Sequence, residues 1–197
     1  MVCSFFISKM KGVGKIATTG IWKIEKRLDN VIDYTTNIEK TINSDYGKDS
    51  YYDLHNVIDY VEADYKTEKQ FYVSGVNCNP KTALEEMTIT KEQYGKTGGI
   101  LGFHAFQSFA EGEVTPEQCH AIGVRLAEEM WGDRFEVVVS THLNTNYYHN
   151  HFVINSVSFK DGKKYYDGHT SYARMRHISD EICERYGLSV LQEKPTK

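Results

Sequence analysis

The sequence is poor in the residues that build disulfide scaffolds, proline-rich linkers and membrane spans. It has four cysteines, scattered without close spacing, and three prolines among 197 residues. Such cysteine usage is typical of a reducing compartment and argues against a disulfide-rich secreted module or a cysteine-rich zinc site. No apolar run reaches the length of a transmembrane helix, and residues 2–7 are too short for the core of a signal peptide. We therefore expect a soluble, cytoplasmic protein that does not bind membranes.

Net charge is also modest, at −4, but it is unevenly distributed along the chain. Residues 1–48 carry eight basic and five acidic side chains, residues 49–140 carry seven and sixteen, and residues 141–197 carry eight and six. The acidity is therefore confined to the middle of the chain. A locally basic face can bind phosphates whatever the overall sum. Taken alone, the distribution is equally compatible with ordinary surface variation.

The hydrophobic pattern predicts intermixed strands and helices, without an internal repeat or a low-complexity segment. Strands are predicted over residues 16–24, 70–75, 98–109, 135–141 and 149–159. Helices are predicted to begin near residues 25, 79, 115 and 171, with a further short helix within residues 45–69. Thr115 and Gln118 have the spacing of a helix-capping pair, Pro80 is expected at a first helical position, and Gly187 at a helix end. The expected fold is α+β: a central, mainly antiparallel sheet with flanking helices and a histidine-bearing strand pair at its centre.

Three of the eight histidines, His142, His149 and His151, lie within ten residues. Residues two apart on a strand face the same side of a sheet, so the last two share a face, and a preceding strand that ends at His142 would bring back the third. Three neutral imidazoles with an open position are typical of a catalytic metal site. The alternative is a set of polar residues on a half-exposed sheet. His104, on an earlier strand, either supports this site or is an ordinary hydrogen-bonded core histidine.

A helix with the sequence Val31-Ile-Asp-Tyr34, followed by Glu39-Lys-Thr41, precedes these motifs. Together with residues 103–116 and the histidine motif at residues 141–157, it resembles the MobP-class mobilisation relaxases of the HUH endonuclease superfamily. Three motifs in this order are far more specific than a histidine pair alone. The resemblance runs over residues 17–191, which we take as the relaxase domain. Residues 1–16 are then a leader, and residues 192–197 a tail that we expect to be truncated from a longer protein.

The resemblance implies a metal-dependent endonuclease that nicks one DNA strand at an origin of transfer and starts conjugative mobilisation. Tyr34 would be the nucleophile and would form a covalent 5′-phosphotyrosine. Five other tyrosines, at positions 46, 51, 52, 60 and 65, are rivals on residue type alone. The expected cofactor is a divalent ion, Mn or Mg first, with Zn, Co or Ni as alternatives. Expected partners are single-stranded DNA at the origin, a relaxosome accessory protein and a type IV coupling ATPase.

The sequence departs from the family pattern inside the metal motif. Where the family usually has His-x-Asp-Thr-Asp, this chain has His142-Leu-Asn144-Thr-Asn146. We assign Asn144 to the catalytic site, although an amide can hydrogen-bond but cannot accept a proton as a carboxylate does. We therefore expect either weakened activity or a larger role for the ion in activating the tyrosine.

Binding of a single strand requires basic side chains along its backbone and aromatic rings for its bases. The candidates are Lys23, Lys26, Arg27, Lys40, Lys163, Lys164, Arg174 and Arg176, with Trp22, Tyr165, Tyr166 and Tyr172 as aromatic neighbours. Three other functions are open: a replication initiator or transposase of the same superfamily, a DNA-binding module with impaired catalysis, and an unrelated three-histidine hydrolase. A tyrosine placed before the histidines favours the relaxase, and the absence of a His-Glu-x-x-His helix argues against a peptidase.

Overall fold

A computed structural model of the chain describes residues 17–41 and 72–190. The described strands are β1 (Thr18–Ile24), β2 (Val73–Val76), β3 (Gly102–Ser108), β4 (Val137–His142) and β5 (His149–Asn155). The described helices are α1 (Leu28–Thr35), α2 (Ile38–Thr41), α3 (Ala83–Gln93), α4 (Pro116–Trp131) and α5 (His169–Arg185). The helix expected within residues 45–69, the leader and the tail lie outside the described residues.

The five strands form one sheet in the order β1-β3-β5-β4-β2, and every neighbouring pair is antiparallel. The predicted α+β fold with a mainly antiparallel sheet is thus confirmed. β5 occupies the centre of the sheet and β4 lies beside it, so the two strands that carry the histidine motif are internal. An internal strand makes ladder hydrogen bonds on both sides, which holds its side chains in defined positions.

The two faces of the sheet are covered differently. On one face, α4 and α5 pack against alternate residues of the strands, such as Phe103, Phe152 and Ile154, to form the larger core. On the other face, α1 and α3 pack against the part of the sheet that contains Val138 and Val153. Because successive residues of a strand point to opposite faces, the three histidines share this second face with Val153.

The cap predicted at the start of α4 is present. The Thr115 hydroxyl accepts a hydrogen bond from the Gln118 backbone N–H, the Gln118 side chain accepts one from the Thr115 N–H, and Pro116 is the first helical residue. Gly187 follows α5 with φ 71°, as expected of a residue that ends a helix. Among the described residues, no helix is long and apolar enough to cross a membrane.

Three predicted boundaries are wrong by about four residues. The strand predicted from residue 98 begins at Gly102, and the other two errors concern α3 and β5. α3 begins at Ala83, and Pro80 lies in the preceding turn, where the Asn79 side chain accepts a hydrogen bond from the Lys81 N–H. β5 ends at Asn155, although the apolar pattern continues to residue 159. The chain turns there because a tight loop closes with a hydrogen bond from the Gly162 N–H to the Ser158 carbonyl. Before α3, the side-chain hydrogen bond of Asn79 favours a turn over a further turn of helix. After β5, the bond to the Ser158 carbonyl closes a loop where strand pairing ends.

Candidate active site

The three histidines of the motif meet at one end of the β4–β5 strand pair. His142 is the last residue of β4 and lies directly opposite His149, the first residue of β5, and His151 follows on the same face. Their ring centroids are 4.3–5.1 Å apart, and one nitrogen from each ring lies within 4.8 Å of the others. Three imidazole nitrogens therefore converge on a volume that is the size of a single ion.

The second nitrogen of each ring is held by the surrounding protein. His142 donates from Nε2 to the Thr35 carbonyl at 2.9 Å, and His149 donates from Nδ1 to the Tyr147 carbonyl at 2.9 Å. His151 Nδ1 lies 2.9 Å from Nε2 of His104. These bonds leave the lone pairs of His142 Nδ1 and His149 Nε2 available. Hydrogen bonds of this kind orient imidazoles that bind metals and select their tautomers.

The site keeps its imidazoles neutral. Burial lowers the pKa of His142 to about 3, and nearby positive charge from His149 and Lys40 acts in the same direction. Burial also lowers the pKa of His149 and places that of His151 well below its usual value. Nε2 of His151 is buried and has no hydrogen-bond partner in the described part of the chain. An orphaned, neutral nitrogen beside two others is what a divalent cation with nitrogen ligands requires.

Tyr34 lies against this cluster. It occupies the last turn of α1, with 39% of its side chain exposed, and its ring centroid is 5.8 Å from that of His142 and 6.1 Å from that of His151. The next residue, Thr35, supplies the carbonyl that holds His142. The position of the tyrosine is therefore tied to the position of a candidate metal ligand. An accessible phenol next to three convergent imidazoles can attack an electrophile that is held there.

The comparisons with known proteins agree with this geometry. The family model for the nuclease domain of MobA/VirD2-like relaxases matches residues 37–188, which contain all three histidines. The chain belongs to this relaxase family. The matched residues begin just after Tyr34, so the match does not test Tyr34 as the nucleophile, and this role stays a prediction. The enzyme class expected from the sequence, a relaxase nuclease domain, is confirmed.

The relaxase family is also represented among the relatives. The chain is 41% identical over 121 residues to protein rlx of Staphylococcus aureus, an alignment that covers 61% of this chain and 36% of that protein. It is 28% identical over 211 aligned positions to the group II intron-interrupted relaxase LtrB of Lactococcus lactis, covering 86% and 37%. The chain thus spans little more than a third of the length of these relatives.

A solved structure has a similar fold. It comes from work on the molecular basis of vancomycin resistance transfer in Staphylococcus aureus, and it superposes with a TM-score of 0.55 over 92% of this chain and all of the other. The two sequences are 10% identical. At that identity, the likeness is evidence for the fold alone.

His104, for which a supporting role is predicted, lies beside the histidine cluster. It lies on β3, its Nε2 approaches His151 as described, and its ring centroid is 5.0 Å from that of His151. Burial lowers the pKa of His104 to about 4, so it too is neutral at physiological pH. Because His151 binds an ion through Nε2 only when its Nδ1 carries the proton, His104 would accept that proton's hydrogen bond. Its function stays a prediction.

Asn144 lies in the exposed loop between β4 and β5, two residues after His142. Its neighbour Asn146 donates to the carboxylate of Glu111 at 3.0 Å, which links this loop to the one that follows β3. The catalytic role of Asn144 therefore stays a prediction about an accessible loop residue.

The predicted DNA-binding residues fall on two sides of the sheet. Lys40 lies at the active site, with its ammonium nitrogen 3.3 Å from the centre of the Tyr34 ring. Lys26 and Arg27, in the turn before α1, are exposed. Lys23 on β1 is also exposed, but it lies opposite Phe103, on the face away from the histidines, where it pairs with Asp167. Lys163 and Lys164 lie in the exposed segment after β5. Arg174 and Arg176 belong to α5, which packs on the face opposite the histidines. The structure does not bring these two to the cluster.

A network of buried polar side chains lies on the face of β5 opposite the histidines, and we did not predict it from the sequence. Asn150, between the last two histidines, points to the opposite face and accepts a hydrogen bond from Thr141 Oγ1 at 2.6 Å. Its amide donates to Gln107 Oε1 at 3.1 Å and to the Cys119 carbonyl at 2.8 Å, and Thr141 also bonds His120 at 2.9 Å. All but His120 are buried. A polar residue alternating with histidines inside a buried strand is the signal that could have revealed the network.

Proposed function

We propose that this relaxase domain cleaves single-stranded DNA at an origin of transfer and becomes covalently joined to the 5′ end. The observation that carries the proposal is the packing of Tyr34 against His142 and His151. The phenolic oxygen attacks the scissile phosphorus, and the bond between phosphorus and the 3′ oxygen breaks. The products are a 5′-phosphotyrosine and a free 3′-hydroxyl, which takes up one proton. Since one phosphoester replaces another, the reverse reaction can rejoin strands.

The histidines would hold a divalent ion, for which we propose Mn or Mg, with Zn, Co or Ni as alternatives. When bound, such an ion supplies positive charge to the phosphoryl oxygens and makes the phosphorus more electrophilic. The protein supplies neutral ligands through burial, and it orients the rings through Thr35, Tyr147 and His104. The hydrogen bond from His142 to the Thr35 carbonyl also holds the end of α1, and with it the tyrosine, beside the ligands.

The DNA would lie along the histidine face of the sheet. Exposed Lys26 and Arg27 lie just after β1, whose Trp22 is stacked on Phe106 with ring centroids 5.3 Å apart. A basic edge beside aromatic rings suits the sugar-phosphate backbone and bases of a single strand. The relatives named as relaxases support DNA at an origin of transfer as the substrate. A relaxosome accessory protein, a type IV coupling ATPase and a cytoplasmic location are further parts of this proposal.

Asn144 would orient groups by hydrogen bonding where a carboxylate could also accept a proton. Asn144→Asp is therefore expected to raise the rate of cleavage at saturating metal, without changing DNA affinity in the absence of metal. An unchanged or lower rate would remove Asn144 from the catalytic group.

The proposal is tested by mixing the protein with single-stranded DNA from the origin of its mobile element and Mn²⁺ or Mg²⁺, followed by a denaturing gel. We expect a covalent protein–DNA band that is lost with EDTA and in Tyr34→Phe. The control is Tyr186→Phe, a tyrosine that is similarly exposed at 47% and follows α5. Cleavage without an adduct would indicate a hydrolase of another kind, and binding without cleavage would indicate an inactive DNA-binding module.

A further inference from the structure

We propose that Lys40 is a catalytic residue whose ammonium group contacts the scissile phosphate during attack by Tyr34. The inference rests on the proposed function, and it gives this lysine a task beyond general attraction of DNA. Its nitrogen lies 3.3 Å from the centroid of the Tyr34 ring, on the aromatic face. An ammonium group at that distance is within a few ångströms of the phenolic oxygen and of any phosphate that this oxygen attacks.

The backbone explains why Lys40 returns to the tyrosine. α1 ends at Thr35, and Asn37 starts α2 by accepting hydrogen bonds from the Glu39 N–H on its side chain and from the Lys40 N–H on its carbonyl. A continuous helix would place a residue six positions later more than a turn and a half beyond the tyrosine. The break between the helices therefore brings the lysine side chain back over the ring.

The same segment is anchored to the metal motif at both ends. The Thr35 carbonyl accepts from His142, and the Lys40 carbonyl accepts from the Leu143 backbone N–H at 2.7 Å. His142 and Leu143 are consecutive residues. The tyrosine, the lysine and the first histidine ligand thus belong to one hydrogen-bonded unit, and their relative positions are not set by flexible surface chains.

The charge of Lys40 also acts on the three histidines. The positive charge of Lys40 contributes to the lowered pKa of His142, His149 and His151. The ammonium group therefore lies within Coulomb range of all three rings and of Tyr34. The space among these groups is where a phosphate must sit if it is to be attacked by the tyrosine while the histidines hold an ion.

A fixed cation at this point has a chemical purpose. As the phenolic oxygen bonds to phosphorus and the bond to the 3′ oxygen breaks, negative charge builds on the non-bridging and leaving oxygens. Preorganised donors aimed at such oxygens typically accelerate reactions about 10²–10³-fold. Lys40 would stabilise this charge without giving up its proton. The competing explanations are a contact with a remote phosphate, which would affect only DNA affinity, and a purely structural stacking contact.

The kinetic test compares Lys40→Met and Lys40→Arg with the wild type in single-turnover cleavage at saturating DNA and Mn²⁺. We expect Lys40→Met to slow adduct formation about 10²-fold, and Lys40→Arg, which keeps the charge, to stay within about tenfold of wild type. Lys160→Met is the matched control, since Lys160 is an exposed lysine paired with Asp133. A wild-type rate for Lys40→Met at saturating DNA, or a loss that higher DNA concentration restores, would overturn the proposal.

A binding test separates the charge contact from activity. In the Tyr34→Phe background with EDTA, we compare an oligonucleotide that spans the nick with the same strand bearing a neutral methylphosphonate at the scissile position. We expect the neutral linkage to weaken binding up to about fivefold, as for an accessible ion pair, and to have no effect when Lys40→Met is added. If the methylphosphonate weakens binding equally with and without Lys40→Met, the proposal is overturned. It is also overturned if Lys40→Met lowers the melting temperature along with DNA binding. If the wild type forms no adduct at Tyr34, the proposed function itself fails.

Discussion

Gly123 offers the sharpest test of the network behind the histidine strand. It is buried in the middle of α4, where replacement by alanine ordinarily stabilises a helix by about 1 kcal/mol. Here a Cβ atom would lie 2.5 Å from Cγ and Nδ2 of Asn150 and 2.9 Å from its Oδ1. Asn150 cannot swing away freely because Thr141, Gln107 and the Cys119 carbonyl all bond its amide group.

The expected change in the free energy of unfolding is the balance of two costs and one gain. Overpacking of a close-packed interior costs about 1–3 kcal/mol, and a displaced amide that loses one buried hydrogen bond costs about 1–3 kcal/mol more. After the gain in helix propensity, we expect Gly123→Ala to lower the free energy of unfolding by about 2 kcal/mol. For a domain of this size, that corresponds to a fall in melting temperature of roughly 4–8 °C.

The assay is denaturant unfolding of the metal-free protein, together with Mn²⁺ affinity by calorimetry. Because Asn150 separates His149 from His151, its displacement should also weaken metal binding in the folded variant. Ala121→Gly, at an exposed position of the same helix, is the control for propensity and should cost about 1 kcal/mol with unchanged metal affinity. A Gly123→Ala variant that is as stable as the wild type, or more stable, would refute the packing argument.

Three further predictions follow from buried polar groups. His104→Phe should lower Mn²⁺ affinity about 10–100-fold in calorimetry, because His151 loses the group that orients it. Burial lowers the pKa of His120 from 6.5 to about 4, so its contribution to stability is present above pH 6.5 and is lost as the pH falls toward 4. His120→Gln should therefore reduce the dependence of the unfolding free energy on pH, measured by urea titration between pH 4 and 6.5, by up to about 1.4 kcal/mol per pH unit. Lys91→Met should cost about 1–3 kcal/mol in chemical unfolding, because the buried Asn155 side chain and the Met87 carbonyl lose the ammonium group that donates to them. The predictions would be contradicted by an unchanged Mn²⁺ affinity in His104→Phe, an unchanged pH dependence in His120→Gln, or an unchanged free energy of unfolding in Lys91→Met.

Local chemistry explains which parts of the fold could be predicted from the sequence. The cap at Thr115 and the stop at Gly187 depend on neighbouring residues and are present as expected. The alternation of His149 and His151 defined a shared face, since strand periodicity needs no knowledge of the partner strand. Pro80 misled because a turn that precedes a helix and the first turn of a helix favour the same residue.

The tertiary contacts of the site could not be predicted from local sequence patterns. The hydrogen bond from His142 to the Thr35 carbonyl joins residues that are 107 positions apart, and the packing of Tyr34 on the histidine rings depends on it. The stacking of Lys40 depends on the break between α1 and α2, which the helical periodicity of residues 28–35 does not reveal. Motif order predicted the tyrosine and the histidines as one site, whereas the contacts that join them depend on the three-dimensional structure.

The central claim is that Tyr34 becomes joined to DNA, and mass spectrometry of the adduct tests it most directly. Trypsin cleavage after Arg27 and Lys40 releases residues 28–40, a peptide in which Tyr34 is the only tyrosine. The rival tyrosines at positions 46, 51, 52, 60 and 65 fall in other peptides. After digestion of the bound DNA, we expect a nucleotide phosphate on residues 28–40. The same modification on any other tyrosine peptide, with residues 28–40 unmodified, would contradict it.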